Sequence, residues 1–340
     1  MQNKVPDKID FIITWVDGND PVWLAEKAKY QKSSQNADSR NRRYRDWDTL
    51  QYLFRGIEKF APWVNNVYFV TAGHLPKWLN VNHPKLQIVN HKDFIPAKYL
   101  PTFSSRPIEL NFHRIPNLSE CFVYFNDDMF LTAPTKETDF FKNDLPCDTA
   151  VLNALCFGAS SEVLYTAAAF DMALINKNFS KKETIKNNFW KWFTFKYGVD
   201  WLRTVLLLPW KDFTGLMSYH LPYSCLKSTY EEVWEKEAAC LTQSCMHKFR
   251  EITDVNQWVI SYWQIAKGMF SPRSPRIGRQ FQLSDDPQNN ANILYAIKSQ
   301  KYKMICMNDG VDNDDTDELK DSVKKAFETI LPEKSSYEAG

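Results

Sequence analysis

Ile9-Asp10-Phe11-Ile12-Ile13-Thr14-Trp15-Val16 stops at Asp17-Gly18, and this stretch decides the fold class. Continuous apolar, β-branched and aromatic residues with little polar alternation predict a strand covered on both faces, as in a parallel sheet. The same signature recurs at Val67–Thr71 after the turn Asn65-Asn66, at Leu86–Val89 after Pro84, and at Phe122–Phe125 before Asn126-Asp127-Asp128. Between the first two, Leu50, Leu53, Phe54, Ile57 and Phe60 recur at helical spacing, with Asp46 or Asp48 as cap and Pro62 as stop. Ile108, Phe112 and Ile115 make a shorter helical face. Strands alternating with helices predict an α/β architecture with a mixed, mostly parallel sheet flanked by helices. Ligands in such sheets collect beyond the carboxyl ends of the strands, where both acidic clusters fall.

Around this core the chain changes character. The polar segment from Glu26 to Arg43 has no periodicity and reads as a surface loop. Residues 155–215, dense in aromatics and lysines, read as a helical insert or lid between core segments 1–150 and 216–340 of one catalytic domain. Helical stretches are expected near 228–240 and 255–268, and an amphipathic helix over Thr316–Ile330, where Leu319, Val323, Phe327 and Ile330 form one stripe.

Composition narrows the function classes. Forty-two basic against forty-one acidic residues leave no field that would select nucleic acid. Only ten glycines occur, without a G-x-x-x-x-G-K or G-x-G-x-x-G sequence, which argues against a P-loop or a standard dinucleotide site. The start, Met1 to Lys8, lacks a secretory apolar stretch, and the seven cysteines form no C-x-x-C pair; both point to reduced thiols in a cytoplasm. Cys240, Cys245 and His247 lack a second ligand pair for zinc. The run Val205-Leu206-Leu207-Leu208-Pro209-Trp210 is too short to span a bilayer and reads as a buried helix end, with a membrane-surface contact as the alternative.

Asn126-Asp127-Asp128 is the sharpest chemical signal. Carboxylate and amide oxygens just past a strand suit a hard divalent cation, although a polar strand-ending turn needs no such chemistry. Asp17-Gly18 is a frequent turn dipeptide whose position at a strand end also suits a ligand. Arg43, Arg45 and Arg55 could grip phosphate bidentately, or simply face solvent. His113 and His220 stand apart from His74, His83 and His91, which lie in loop-like sequence. Asn308-Asp309 ends a short apolar run and resembles another strand-closing turn.

These segments together resemble the Stealth family of sugar-phosphate transferases, which includes bacterial capsular polysaccharide phosphotransferases. Four blocks carry the resemblance. The first is Ile9–Pro21. The second runs from Arg43-Tyr44-Arg45-Asp46 through Ile57–Val64, Pro76–Asn80, Leu100–Ser105 and His113-Arg114-Ile115-Pro116 to Tyr124–Asp128. The third begins at His220-Leu221-Pro222 and includes Phe249-Arg250 and Asp254; the fourth is Ile305–Asp309.

The resemblance implies a nucleotide-sugar-binding (GT-A or Rossmann-like) sheet and transfer of a hexose-1-phosphate from a UDP-sugar to an acceptor hydroxyl, with UMP released. A conventional glycosyltransferase releasing UDP is the alternative. On that basis Asp127, Asp128 and Asp309 are expected to hold Mg2+ or Mn2+. Asp17 is expected in the catalytic set as a further carboxylate for the cation, Arg43, Arg114 and Arg250 are expected to meet phosphoryl charge, and His220 or Asp46 to act as base. Asp17, Gly18, Arg55, His113, Asn126, Asp254 and Asn308 are expected to contact substrate, while His74, His83 and His91 should tolerate substitution. The expected partners are a UDP-sugar and a glycan or lipid-linked oligosaccharide, with no nucleic acid. The expected location is cytoplasmic, compatible with a peripheral place on the inner face of the cell membrane.

Overall fold

The computed structural model describes residues 4–31, 45–156, 162–313 and 315–339, with the side chains of 162–164 excluded. Eleven strands occur among these residues: β1 (Ile9–Thr14), β2 (Val67–Thr71), β3 (Leu86–Asn90), β4 (Cys121–Phe125), β5 (Met129–Leu131), β6 (Phe141–Lys142), β7 (Leu145–Asp148), β8 (Tyr223–Leu226), β9 (Ser271–Pro272), β10 (Gly278–Leu283) and β11 (Met304–Asp309). The main sheet has the order β3-β2-β1-β4-β8. Its first four strands are parallel, and β8 runs antiparallel to β4. This is the α/β class and mixed, mostly parallel sheet expected from the sequence.

Alternate residues of the apolar strands enter two different cores. Phe11, Ile13, Phe69, Val123 and Phe125 pack on one face with Leu53, Phe54 and Ile57 of the helix Leu50–Phe60. Ile12, Tyr68, Val70, Phe122 and Tyr124 pack on the other with the helices Lys227–Met246 and Trp258–Lys267. Each fully buried Phe or Ile contributes about 1.5–3 kcal/mol, so burial on both faces outweighs the missing polar alternation. Asp10 breaks the apolar run at no cost to pairing. Its buried carboxylate accepts from Asn65 Nδ2 (2.7 Å) and from the backbone N–H of Asn66 (3.1 Å) and Ser119 (2.8 Å), tying the amino ends of three strands.

A second sheet, β10-β11-β5, leans on the first. β5 begins just after Asp128, and the helix Leu50–Phe60 crosses it closely: a Cβ on Gly56 would lie 2.7 Å from the Leu131 carbonyl oxygen. The pairing Cys306↔Met129 brings the end of β11 to the end of β4. A small sheet of β6, β7 and β9 closes the edge.

Three local expectations are corrected. The chain from Glu26 onward is not all loop, because a helix spans Pro21–Gln31. Asp20 Oδ1 accepts the Trp23 N–H (2.7 Å) at its start, but Val22 and Leu24 face solvent, which is why no apolar stripe announced it. The helix Leu50–Phe60 begins at Thr49, while Asp46 accepts the N–H of Asp48 instead of capping. The run Val205–Trp210 is not a buried helix end: Val205, Leu206, Leu208 and Trp210 are exposed. Between residues 162 and 207 the chain is built of the helices Glu162–Asn178, Lys181–Asn187, Phe189–Trp192 and Trp201–Leu207.

Candidate active site

The parallel strands end along one edge, and antiparallel β8 sets out from it. Because Tyr223, its first residue, pairs with Tyr124 near the end of β4, His220 sits at the same edge as Asn126, Asp127 and Asp128. His220 has a left-handed backbone (φ 44°), a conformation that costs energy outside glycine. Its Nδ1 lies 3.0 Å from the Tyr223 hydroxyl, which in turn accepts from Trp258 Nε1 at 2.8 Å. Behind the ring lies a cavity of about 30 Å³ lined by Tyr219, Tyr223, Trp258 and Thr149, room for one water.

The donor atoms of Asp128, His220 and Cys306 all lie within 4.8 Å of one another. Asp128 is fixed through its backbone, whose carbonyl accepts the Met307 N–H (2.9 Å). Burial raises the Asp128 carboxyl above its ordinary range, with the His220 imidazole opposing. Its Oδ1 is buried without a hydrogen-bond partner. Asp127 stays exposed at the mouth, yet the protein walls around it, then Asp128 and Asp46, push its pKa up to about 7. Burial also raises Asp46, with Asp48 and Asp17 adding repulsion. Mutual repulsion therefore links Asp17, Asp46, Asp127 and Asp128 as one acidic group at the strand ends. Such a group is held together at a cost, which a bound cation would relieve.

Asp17 is oriented from two sides. Its N–H donates to His74 Nε2 (2.8 Å), and its Oδ1 accepts from the Asn19 N–H (2.9 Å) across Gly18. The Tyr124 hydroxyl lies between Asn126 Oδ1 and Glu109 Oε1, 2.9 Å from the latter, and its single proton can serve one of the two. Asn308 Oδ1 accepts from Cys306 Sγ at 3.1 Å. Asp309 is not among the convergent donors: Arg45 Nη1 lies 3.5 Å from its Oδ2, and its Oδ1 accepts the Val311 N–H. Arg250 donates to Ser105 Oγ (2.9 Å), beside the cluster of Trp23, Phe103 and Phe249 that adjoins Val16. Arg43 lies outside the described residues.

Four expected contacts are used elsewhere. Arg55 is no phosphate ligand: it grips Glu338 bidentately at 2.8 and 2.9 Å and donates to the Leu331 carbonyl. Asp254 is no substrate contact either. It is 1% exposed and bonds Arg106 Nη1 (3.0 Å), His247 Nδ1 (2.6 Å) and the Glu251 N–H. His113 is buried against Tyr230 and Trp234. Arg114 lays its guanidinium over Trp234 and donates to Asn111. Sequence reasoning missed Cys306, Tyr223 and His74. Cys306 sits in an apolar run, and only its alternation with Asn308 on one strand face could have signalled it.

All seven cysteines are free, and no helix among the described residues is long and apolar enough to cross a membrane. A galactosyltransferase structure, LgtC with donor and acceptor sugar analogues, aligns with 94% of this chain and 96% of its own at 8% identity and a TM-score of 0.42. The models for Stealth conserved regions 1, 2 and 4 match residues 7–35, 43–148 and 295–340. The capsular polysaccharide phosphotransferase WcwK of Streptococcus pneumoniae is 44% identical, over 98% of this chain and 99% of its own. The receptor polysaccharide phosphotransferase WefC of Streptococcus oralis is 43% identical with the same coverage. The exopolysaccharide phosphotransferase cps2G of Lactiplantibacillus plantarum is 38% identical, over 98% of this chain and 97% of its own. With near full-length relatives at this identity and three matching regions, the chain belongs to the Stealth family.

Proposed function

We propose that the acidic edge transfers a hexose-1-phosphate, or its N-acetylhexosamine counterpart, from a UDP-sugar to a sugar hydroxyl of a glycan or lipid-linked acceptor. UMP leaves, and the product is a phosphodiester of a capsule or exopolysaccharide. The observation that carries this reading is the gathering of Asp128 and His220 beside Asp127, in a chain whose full-length relatives are named polysaccharide phosphotransferases. The carboxylates Asp127 and Asp128 suit Mg2+ or Mn2+, since oxygen donors match a hard cation and Asp128 Oδ1 lacks a hydrogen-bond partner. Bound there, the cation would neutralise charge on the diphosphate and on the departing UMP.

The chain's own groups do the rest. His220 takes the acceptor hydroxyl proton on Nε2 while Tyr223 holds Nδ1, which keeps the ring aimed across Asp128. The freed oxygen attacks the donor's β-phosphorus, the new O–P bond forms, and the bond to the bridging oxygen breaks toward UMP. Arg250 and Arg45 are the cations that meet phosphoryl charge from this side of the sheet, and in-line positioning supplies much of the rate. The test is incubation of the full chain with a panel of UDP-sugars, acceptor glycans and Mg2+. UMP together with a new phosphodiester resonance in the phosphorus NMR spectrum is the expected result. UDP and a glycosidic product would overturn the reading, because attack would then be at the sugar carbon.

A further inference from the structure

The helical excursion that leads up to His220 exposes apolar surface in a way the rest of the fold does not require. Phe195 is 98% exposed, Trp190 81% and Leu206 72%; Leu202, Val205 and Trp210 also face solvent. On the helix Trp201–Leu207, Leu202, Val205 and Leu206 fall at spacings of three and four, so they share one face. Among the described residues that face stays largely open to solvent.

Beside it runs an open groove of about 950 Å³ between the helix Lys181–Asn187 and the turn Leu208–Asp212. Phe189 and Trp210 stand on its walls, and Lys182, Lys186 and Lys211 line it, with Asp212 the acidic residue facing them. The turn is held open from below. Buried Lys181 donates to the carbonyls of Leu207 (2.9 Å) and Trp210, closing the helix end and propping Trp210 outward. Charge is concentrated here as well. Between Lys177 and Asp212 stand eight basic and three acidic residues, in a chain whose net charge is only +1; Lys181 is buried and Lys177 pairs with Glu237, which leaves six basic residues against three acidic ones.

Exposed aromatics and aliphatics beside exposed lysines are the chemistry of a surface that lies on an anionic bilayer: apolar side chains enter the headgroup boundary while ammonium groups meet lipid phosphate. We propose that this face, Trp190 to Lys211, docks the protein on an anionic membrane surface. A second protein would need a complementary acidic and apolar patch; a bilayer offers both features everywhere, and the lysine excess favours it. The face is also joined to the cleft. Asp200, at the start of the helix Trp201–Leu207, accepts from the Tyr219 hydroxyl at 3.1 Å, and Tyr219 adjoins His220. Docking by this face therefore sets the acidic edge at a fixed position relative to the lipid surface.

The test sediments the full chain with vesicles of phosphatidylcholine alone or mixed with phosphatidylglycerol. Two triple variants are compared: Trp190→Ser/Phe195→Ser/Leu206→Ser, and Lys182→Gln/Lys186→Gln/Lys211→Gln. The wild type is expected to bind the mixed vesicles at least about tenfold more strongly than the neutral ones. Each lysine removed should cost about fivefold, roughly a hundredfold for three, and the apolar variant should lose binding to both. Brominated lipid should quench tryptophan fluorescence in the wild type. Unchanged melting temperatures show that the variants fold. Equal binding to both vesicle types, no binding, or variants that bind like the wild type would overturn the proposal. So would a dimer of the wild type that the apolar variant splits without any vesicle binding, since the face would then serve a second copy. The assay needs no turnover, so its failure leaves the phosphotransfer reading standing, and a UDP product leaves this one.

Discussion

The Nε2 atom of His74 accepts the backbone N–H of Asp17 at 2.8 Å, joining the end of β2 to the end of β1. Burial lowers the His74 pKa, which keeps the imidazole neutral and the acceptor lone pair available. Trp15 packs edge-on to the same ring at 5.3 Å. His74 is thus a positioning residue, and the expectation that it would tolerate substitution does not fit its place. His74→Ala should lower turnover on the order of tenfold, the effect of losing a hydrogen bond worth about 1–1.5 kcal/mol. His74→Gln, which keeps an acceptor, should recover part of the loss. Steady-state kinetics of the two variants checks this.

His220→Ala should depress kcat far more than donor affinity, because a base acts in the transition state and adds little to ground-state binding. Tyr223→Phe removes the partner of Nδ1 but not the ring, so a smaller loss of roughly tenfold is expected. Separate kcat and KM values decide the matter; a variant altered only in KM would place His220 in binding.

Chelation of divalent cations should abolish transfer. Asp127→Ala and Asp128→Ala should each lose roughly a hundredfold or more, comparable to removing a principal electrostatic stabiliser. Activity assays in EDTA, followed by restoration with Mg2+ or Mn2+, measure this directly. Full activity in EDTA would remove the cation from the mechanism.

Arg106→Met should destabilise the fold by about 3–5 kcal/mol, since it leaves Asp254 buried beside a lost cation. Denaturant unfolding gives the size of the loss. Donor KM should stay unchanged in whatever fraction remains folded, which separates a structural Asp254 from a substrate-binding one.

Acid should weaken the fold through two histidines, His113 buried and His91 half-buried. Burial, with Arg114 and Lys227 adding repulsion, lowers His113 to about 3, and burial lowers His91 to about 4, against an ordinary 6.5. The unfolded chain then takes up protons that the folded chain refuses. Stability is therefore full above about pH 6.5 and falls as pH drops toward those folded values. His113→Phe should flatten part of this slope, read as urea midpoints from pH 7 to pH 4.

What could be read in the sequence was local. Ile9–Thr14 and Cys121–Phe125 announced themselves because burial on both faces forces continuous apolar runs, and Asp17 and Asp127 because they follow those runs directly. Asp254 could not be read, since its partner Arg106 is 148 residues away and only the tertiary fold brings them together. Cys306 hid inside a core-like strand. The helix Pro21–Gln31 hid because it packs by Trp23 rather than by a stripe. The exposed run Val205–Trp210 was misread for the opposite reason: apolar sequence normally means burial, and here it does not.

The excursion between β7 and β8 is closed by a narrow neck. Leu152 bridges to Leu216, the Asn153 N–H donates to the Gly215 carbonyl (3.0 Å), and the Met217 N–H donates to the Val151 carbonyl (2.9 Å). Its two ends are therefore neighbours, while its helices are anchored separately: Met172, Ile175, Ile185 and Trp192 pack into the same core as Ile12 and Tyr68 of the sheet, and Thr184 donates to the Ala266 carbonyl at 2.9 Å. The excursion is thus built into the sheet's own core, so the surface it carries is held in register with the edge where Asp127, Asp128 and His220 stand.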